Sequence, residues 1–69
     1  MESNGKEMVP PVEEGDRLEL KCEGIGSKGD GIFKYKGFVI IASNVIKGKT
    51  YTLEIKNVRD NVAFAEVVL

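Results

Sequence analysis

Between residues 17 and 23 charged and apolar side chains alternate without exception, with Arg17, Glu19, Lys21 and Glu23 in one phase and Leu18, Leu20 and Cys22 in the other. A period of two places the sets on opposite faces of a β-strand. The same reading gives strands over residues 31–36 and 38–42, joined by a hairpin turning at Tyr35-Lys36-Gly37, and two more over 51–56 and 61–68. No window shows the i, i+3, i+4, i+7 spacing of an amphipathic helix. Five short strands without a helix to cover them must bury their apolar sides against one another. Curling into a small closed or nearly closed barrel does this and removes exposed edges. The expected fold is all-β, a five-stranded barrel over residues 12–69. Residues 1–11 are polar and end in Pro10-Pro11, so they read as a flexible tail.

Two glycine patterns invite a nucleotide-binding reading and fail it. Gly24-Ile25-Gly26-Ser27-Lys28-Gly29 spells G-x-G-x-x-G, but a dinucleotide loop opens a helix, and here residues 30–35 continue as a strand. Gly48-Lys49-Thr50 resembles the end of a phosphate-binding P-loop, yet Ser43 occupies the place of its first glycine and another strand follows. Both stretches are read as turns. Glycines there still allow close approach of another molecule to the backbone.

A chain of 69 residues is one small domain, burying only about 60% of the surface its unfolded form exposes. With no histidine, one cysteine and no C-x-x-C pair, no metal or cofactor is expected. Cys22 shares the phase of Leu18 and Leu20 and reads as core. No apolar run approaches a membrane span, and residues 1–7 lack the apolar stretch of a signal peptide, so a soluble cytoplasmic protein is expected. The absence of histidine and of a serine–base pair argues against an enzyme, as does the small volume such a barrel offers to a substrate pocket.

The net charge of −1 conceals an asymmetry. Residues 1–16 carry five carboxylates against Lys6 alone, whereas residues 17–69 carry nine Lys and Arg against six Asp and Glu. The chain from residue 17 onward is mildly basic, a hint of nucleic-acid contact. Lys28, Phe33, Lys34, Tyr35, Lys36 and Phe38 cluster around the hairpin, with Lys47, Lys49 and Arg59 in other loops. Ammonium groups that track phosphates and rings that stack on bases are the ingredients of single-strand binding. Alternation puts Lys34 and Lys36 outward and Phe33 inward, while Tyr35 and Phe38, beside the turn, are expected at the surface. In the last strand Glu66 should face solvent, and Phe64 shares its face, which makes Phe64 a candidate stacking platform.

Val12-Glu13-Glu14-Gly15-Asp16 before the alternating strand, the run from Ile25 to Ile32, the hairpin glycine Gly37, Phe38-Val39-Ile40-Ile41 and the closing Ala63-Phe64-Ala65-Glu66 together resemble a TRAM domain over residues 12–69. The resemblance implies an OB-like β-barrel that binds RNA, commonly tRNA. For a chain of this length it also implies a stand-alone RNA chaperone of archaeal type, comparable in role to bacterial cold-shock proteins. Relatives often carry Arg where Lys34 stands, which implies a phosphate contact there. They carry basic residues where Phe38 and Phe64 stand, which implies exposure of both, and Lys47 replaces a loop proline.

The expected partner is therefore single-stranded or locally open RNA, bound by a monomer that uses no cofactor, small-molecule substrate or membrane. A protein-interaction module or ribonucleoprotein subunit, with Tyr35, Phe38 and Phe64 as a protein contact, is the alternative. The acidic tail is expected to compete with RNA for the Lys and Arg side chains. Deleting residues 1–11 then tightens RNA binding at low salt in a fluorescence titration, and unchanged affinity would remove the competition.

Overall fold

The computed structural model describes residues 10–68. All regular structure among them is strand: β1 (Arg17–Lys21), β2 (Gly24–Ile25), β3 (Gly31–Tyr35), β4 (Phe38–Ala42), β5 (Thr50–Val58) and β6 (Val62–Val68). No helix long and apolar enough to cross a membrane occurs among the described residues. The expected tail lies outside the described residues except for Pro10 and Pro11.

The six strands form one curled sheet in the order β1-β5-β6-β4-β3-β2, antiparallel throughout except where β6 runs parallel to β4. Six strands replace the expected five because the alternating stretch 17–23 bends at Cys22 and Glu23. Before the bend β1 pairs with β5, and just beyond it Gly24-Ile25 form β2 and pair with β3. The two ends of the sheet order are thus consecutive pieces of the same chain, and this curls the sheet back on itself. Backbone bonds from the Cys22 N–H to the Lys49 carbonyl and from the Glu23 N–H to the Ile32 carbonyl, both 2.8 Å, hold the bend from its two sides.

The core takes the inward phase of each strand: Phe33, Ile40, Ala42, Leu53, Ile55, Ala63 and Ala65, with Cys22 and Val12. Phe33 meets Tyr51 edge to face, ring centroids 6.3 Å apart. The Cys22 thiol is fully buried and donates to the Gly24 carbonyl at 3.3 Å, as its phase predicts for a core residue. In β5, Ile55 faces Ala65 and Asn57 faces Phe64, so Lys56 is an extra residue. This bulge bends the strand and resets its phase, and Val58 can pack on the core.

Local chemistry sets the turns. Lys36 and Gly37 both have positive φ, 52° and 80°, the signature of the two-residue I′ hairpin that matches strand twist. In the next connection Gly48 (φ 92°) follows Lys47 in a turn closed by the Lys49 N–H on the Ile46 carbonyl. Both glycine patterns therefore run between strands, Gly24-Ile25 forming β2 before the turn at 26–30 and Thr50 opening β5 after the turn at Gly48.

Gly31 has no room for a side chain. A Cβ there would strike Val45 Cγ2 and lie 3.2 Å from both the Ala42 carbonyl oxygen and Cys22 Sγ. A Cβ at Gly24 would meet nothing within 4 Å. Gly31→Ala is expected to destabilise the fold by about 1–3 kcal/mol, the usual range for overpacking. Gly24→Ala should change stability by less than about 0.5 kcal/mol. Urea unfolding of both variants checks the pair, and equal midpoints would refute the close packing at Gly31.

On the outer side of β1 and β5, Glu54 receives Arg17 at 3.1 Å and Lys56 at 3.1 Å. These contacts offset the repulsion expected from Glu66, which stands directly opposite Glu54 across the strand pair. The hydrogen bond and charge of Lys56, then those of Arg17, hold the Glu54 carboxyl below its ordinary value. A depressed folded-state pKa stabilises the fold above the unfolded carboxylate range, and the contribution disappears as pH falls through the lowered value. Wild type should therefore exceed Glu54→Gln in unfolding midpoint at neutral pH, with the gap closing in acid. A gap that widens in acid would reverse the sign.

Candidate nucleic-acid interface

Strand register decides which side chains share the outer surface. Ile32 of β3 stands opposite Ile41 of β4, and Ile41 opposite Phe64 of β6. One step along, Phe33, Ile40 and Ala63 form the inward row, and then Lys34, Val39 and Val62 form the next outward one. The outer face of β3-β4-β6 thus carries two consecutive apolar rows, with Lys34 at the margin of the second. Phe64 is 43% exposed, whereas Ile32, Ile41, Val39 and Val62 are half-buried by their neighbours.

The turn before β3 stands over the first of these rows. It is closed by the Gly29 N–H on the Gly26 carbonyl at 2.9 Å and the Gly26 N–H on the Asp30 carbonyl at 2.8 Å. With the sheet face it borders an open, shallow concavity of about 320 Å³ lined by residues 26–28, Asp30, Ile32, Ile41 and Phe64. The Asp30 carboxylate is tied across β3 and β4 by Ser43, whose hydroxyl donates to Oδ1 at 3.1 Å.

The cations lie at both ends of this face. Lys28, Lys47 and Lys49 belong to turns at the end where β3 begins and β4 finishes. Lys36 and Arg59 lie at the opposite end, in the β3–β4 hairpin and in the β5–β6 turn closed by the Arg59 N–H on the Val62 carbonyl. All five are exposed, and so is Lys34 between them. From Asp30 to Lys36 the face extends about 20 Å at a strand rise of ~3.3 Å per residue.

Three of the rings expected from the sequence do not belong to the open face. Phe38 is a correction: expected at the surface, it is 8% exposed and lies in the core. The two-residue turn sets Phe38 directly opposite Tyr35, both in the inward phase shared with Phe33 and Ile40. Phe33 is 0% exposed, which agrees with its inward phase and removes it from the stacking candidates. Tyr35, also expected at the surface, is half-buried against the core, and Lys36 Nζ lies 5.4 Å from its ring centroid. Phe64 alone of the proposed rings presents a substantially open face.

Sequence reasoning missed Ile32 and Ile41, the floor beside Phe64. An all-apolar strand, 38–42, hides its own phase. The signal that reveals it is the Lys36-Gly37 pair: a two-residue hairpin puts Phe33 opposite Ile40 and therefore Ile32 opposite Ile41.

Comparison with known proteins agrees with this architecture. The family model described as TRAM domain matches residues 11–68. The solution structure of the conserved protein from gene locus MMP0076 of Methanococcus maripaludis superimposes with a TM-score of 0.83 at 37% identity, covering 99% of this chain and 100% of that one. Translation initiation factor 2 subunit beta of Methanothrix thermoacetophila is 42% identical over 57 residues, 83% of this chain and 27% of that protein. Ribosomal RNA large subunit methyltransferase E of Haloarcula marismortui is 45% identical over 61 residues, 88% of this chain and 23% of that protein. The chain thus spans about a quarter of the length of these two relatives.

Proposed function

The chain belongs to the TRAM domain family, a family of RNA-binding modules, and on that premise we propose that it is a non-catalytic RNA-binding protein that holds single-stranded or locally open RNA on the outer face of β3-β4-β6. The observation that carries this reading is the exposed Phe64 ring, set in an apolar row with Ile32 and Ile41 and flanked by Lys28 and Lys34. A base laid on the ring gains stacking that any base can provide, while the lysines neutralise phosphates on either side. Lys36 and Arg59 extend the path at one end, and Lys47 and Lys49 at the other. Phe33, Tyr35 and Phe38 contribute indirectly by packing beneath the strands that present the face.

Such a surface stabilises the open form of an RNA without a cofactor or an energy source, and it releases the strand when base pairing competes. This is the physical basis for an RNA chaperone acting on tRNA and other structured RNAs, in the manner of a cold-shock protein. A monomer in the cytoplasm is sufficient for it. The two longer relatives are a translation initiation factor subunit and a ribosomal RNA methyltransferase, which accords with an RNA partner.

Titration of a fluorescent single-stranded RNA across a salt series tests the proposal. Binding should weaken steeply as salt rises. Phe64→Ala should cost about 1–3 kcal/mol, the range for one base–aromatic stack. Lys34→Ala should reduce the slope of log affinity against log salt by about 0.7, the share of one phosphate contact on a single strand. Absence of binding at low salt would overturn the reading and direct attention to a protein contact through the same apolar rows.

A further inference from the structure

The concavity beside Phe64 carries a group that general RNA binding does not need. Asp30, in the turn just before β3, precedes Ile32 by two residues, and Glu66 of β6 follows Phe64 by two, so continuing the Gly31–Ala42–Ala65 register by one step sets both one outward row beyond Ile32, Ile41 and Phe64, about 6–7 Å at the usual rise. Ser43 lies between them in β-sheet order and donates to Asp30 Oδ1. A row with two carboxylates repels phosphate. The backbone of a bound strand must therefore run elsewhere, towards Lys28 and Lys34, and the part of the nucleotide that meets the acidic row must offer hydrogen-bond donors.

We propose that this concavity is a guanine-selective pocket in which the base stacks on Phe64 and the Asp30 carboxylate accepts from its Watson–Crick edge. The proposal rests on the RNA-binding reading above and deepens it. An ionised carboxylate only accepts, and with its two oxygens it matches two adjacent N–H donors. Guanine supplies such a pair in N1–H and the N2 amino group. Adenine and cytosine each set one amino donor beside an unprotonated ring nitrogen, and uracil sets one N–H between two carbonyls, so each brings an acceptor against the carboxylate. The Ser43 hydroxyl occupies one lone pair of Oδ1, which orients the carboxylate and leaves Oδ2 and the other lone pair for the base. Lys28, on the same concavity, balances the charge that the adjoining phosphate brings.

The test uses eight-nucleotide oligouridylates labelled at the 5′ end, with one central residue changed to adenine, cytosine, guanine or inosine, and measures fluorescence anisotropy at low salt. The guanine oligomer is expected to bind about tenfold tighter than the uracil, adenine and cytosine ones, within the range for one bidentate contact. Inosine, which lacks the N2 amino group, should lose most of that gain. Asp30→Asn should bind all five oligomers alike, with an affinity for oligouridylate no weaker than that of the wild type because a charge that repels phosphate is gone, and its unfolding midpoint confirms that the fold is intact. Equal binding of all five by the wild type, or guanine preference that survives in Asp30→Asn, would overturn the pocket. Equal but salt-sensitive binding removes only the guanine selectivity, whereas no binding of any oligomer removes the RNA-binding reading along with it.

Discussion

The bend of the first strand at Cys22 and Glu23 is the constraint on which the rest of the molecule depends. β1 on one side of the bend pairs with β5 and β2 on the other pairs with β3, and this draws the sheet into a curl without requiring a helix or a longer chain. The bend works only because Gly31 has no side chain, so that Cys22 Sγ and the Ala42 carbonyl can close on it. Once Gly31 is anchored there, the phase of β3 is set: Phe33 turns into the core, and Ile32 and Lys34 turn out. A backbone contact in the interior thus determines which residues reach the proposed RNA surface.

That surface is organised by placement of charge more than by its amount. The net charge of the chain is −1, yet Lys28, Lys47 and Lys49 stand at one end of the β3-β4-β6 face and Lys36 and Arg59 at the other, with Lys34 between, while the register continued one step past Gly31–Ala42–Ala65 sets Asp30 and Glu66 in a row beside the apolar strip. A polyanion would be attracted at the ends and kept from the acidic row, which gives a bound strand an orientation. The apolar strip between is too narrow to be a second core and too open to be excluded from contact. Its half-buried isoleucines support the Phe64 ring from the side, so the ring is held for stacking at little further cost in side-chain freedom.

The strands were legible wherever polar and apolar residues alternate. Residues 17–23 and 61–68 show their phase directly, and the exposure of Phe64 with Ala63 and Ala65 buried follows from it. Residues 38–42 are apolar throughout, so alternation is silent there, and nearness to a turn points Phe38 to the surface. The geometry of that turn, two residues with positive φ, instead pairs Phe38 with Tyr35 on the inside. Nearness to a turn describes the backbone, not the direction of the side chain.

By itself the sequence determined the β character of the chain, its turns and the two faces of most strands, because these depend on neighbours two or three positions apart. The tertiary structure alone decided that β6 lies beside β4, in parallel, and so brings Phe64 of one strand next to Ile41 of another 23 positions earlier. It also decided that the glycine turn before β3 stands over that pair, with Asp30 tied to Ser43. The pairing of distant strands is settled by closure of the whole sheet around one core, a condition on all the strands at once that no local pattern records.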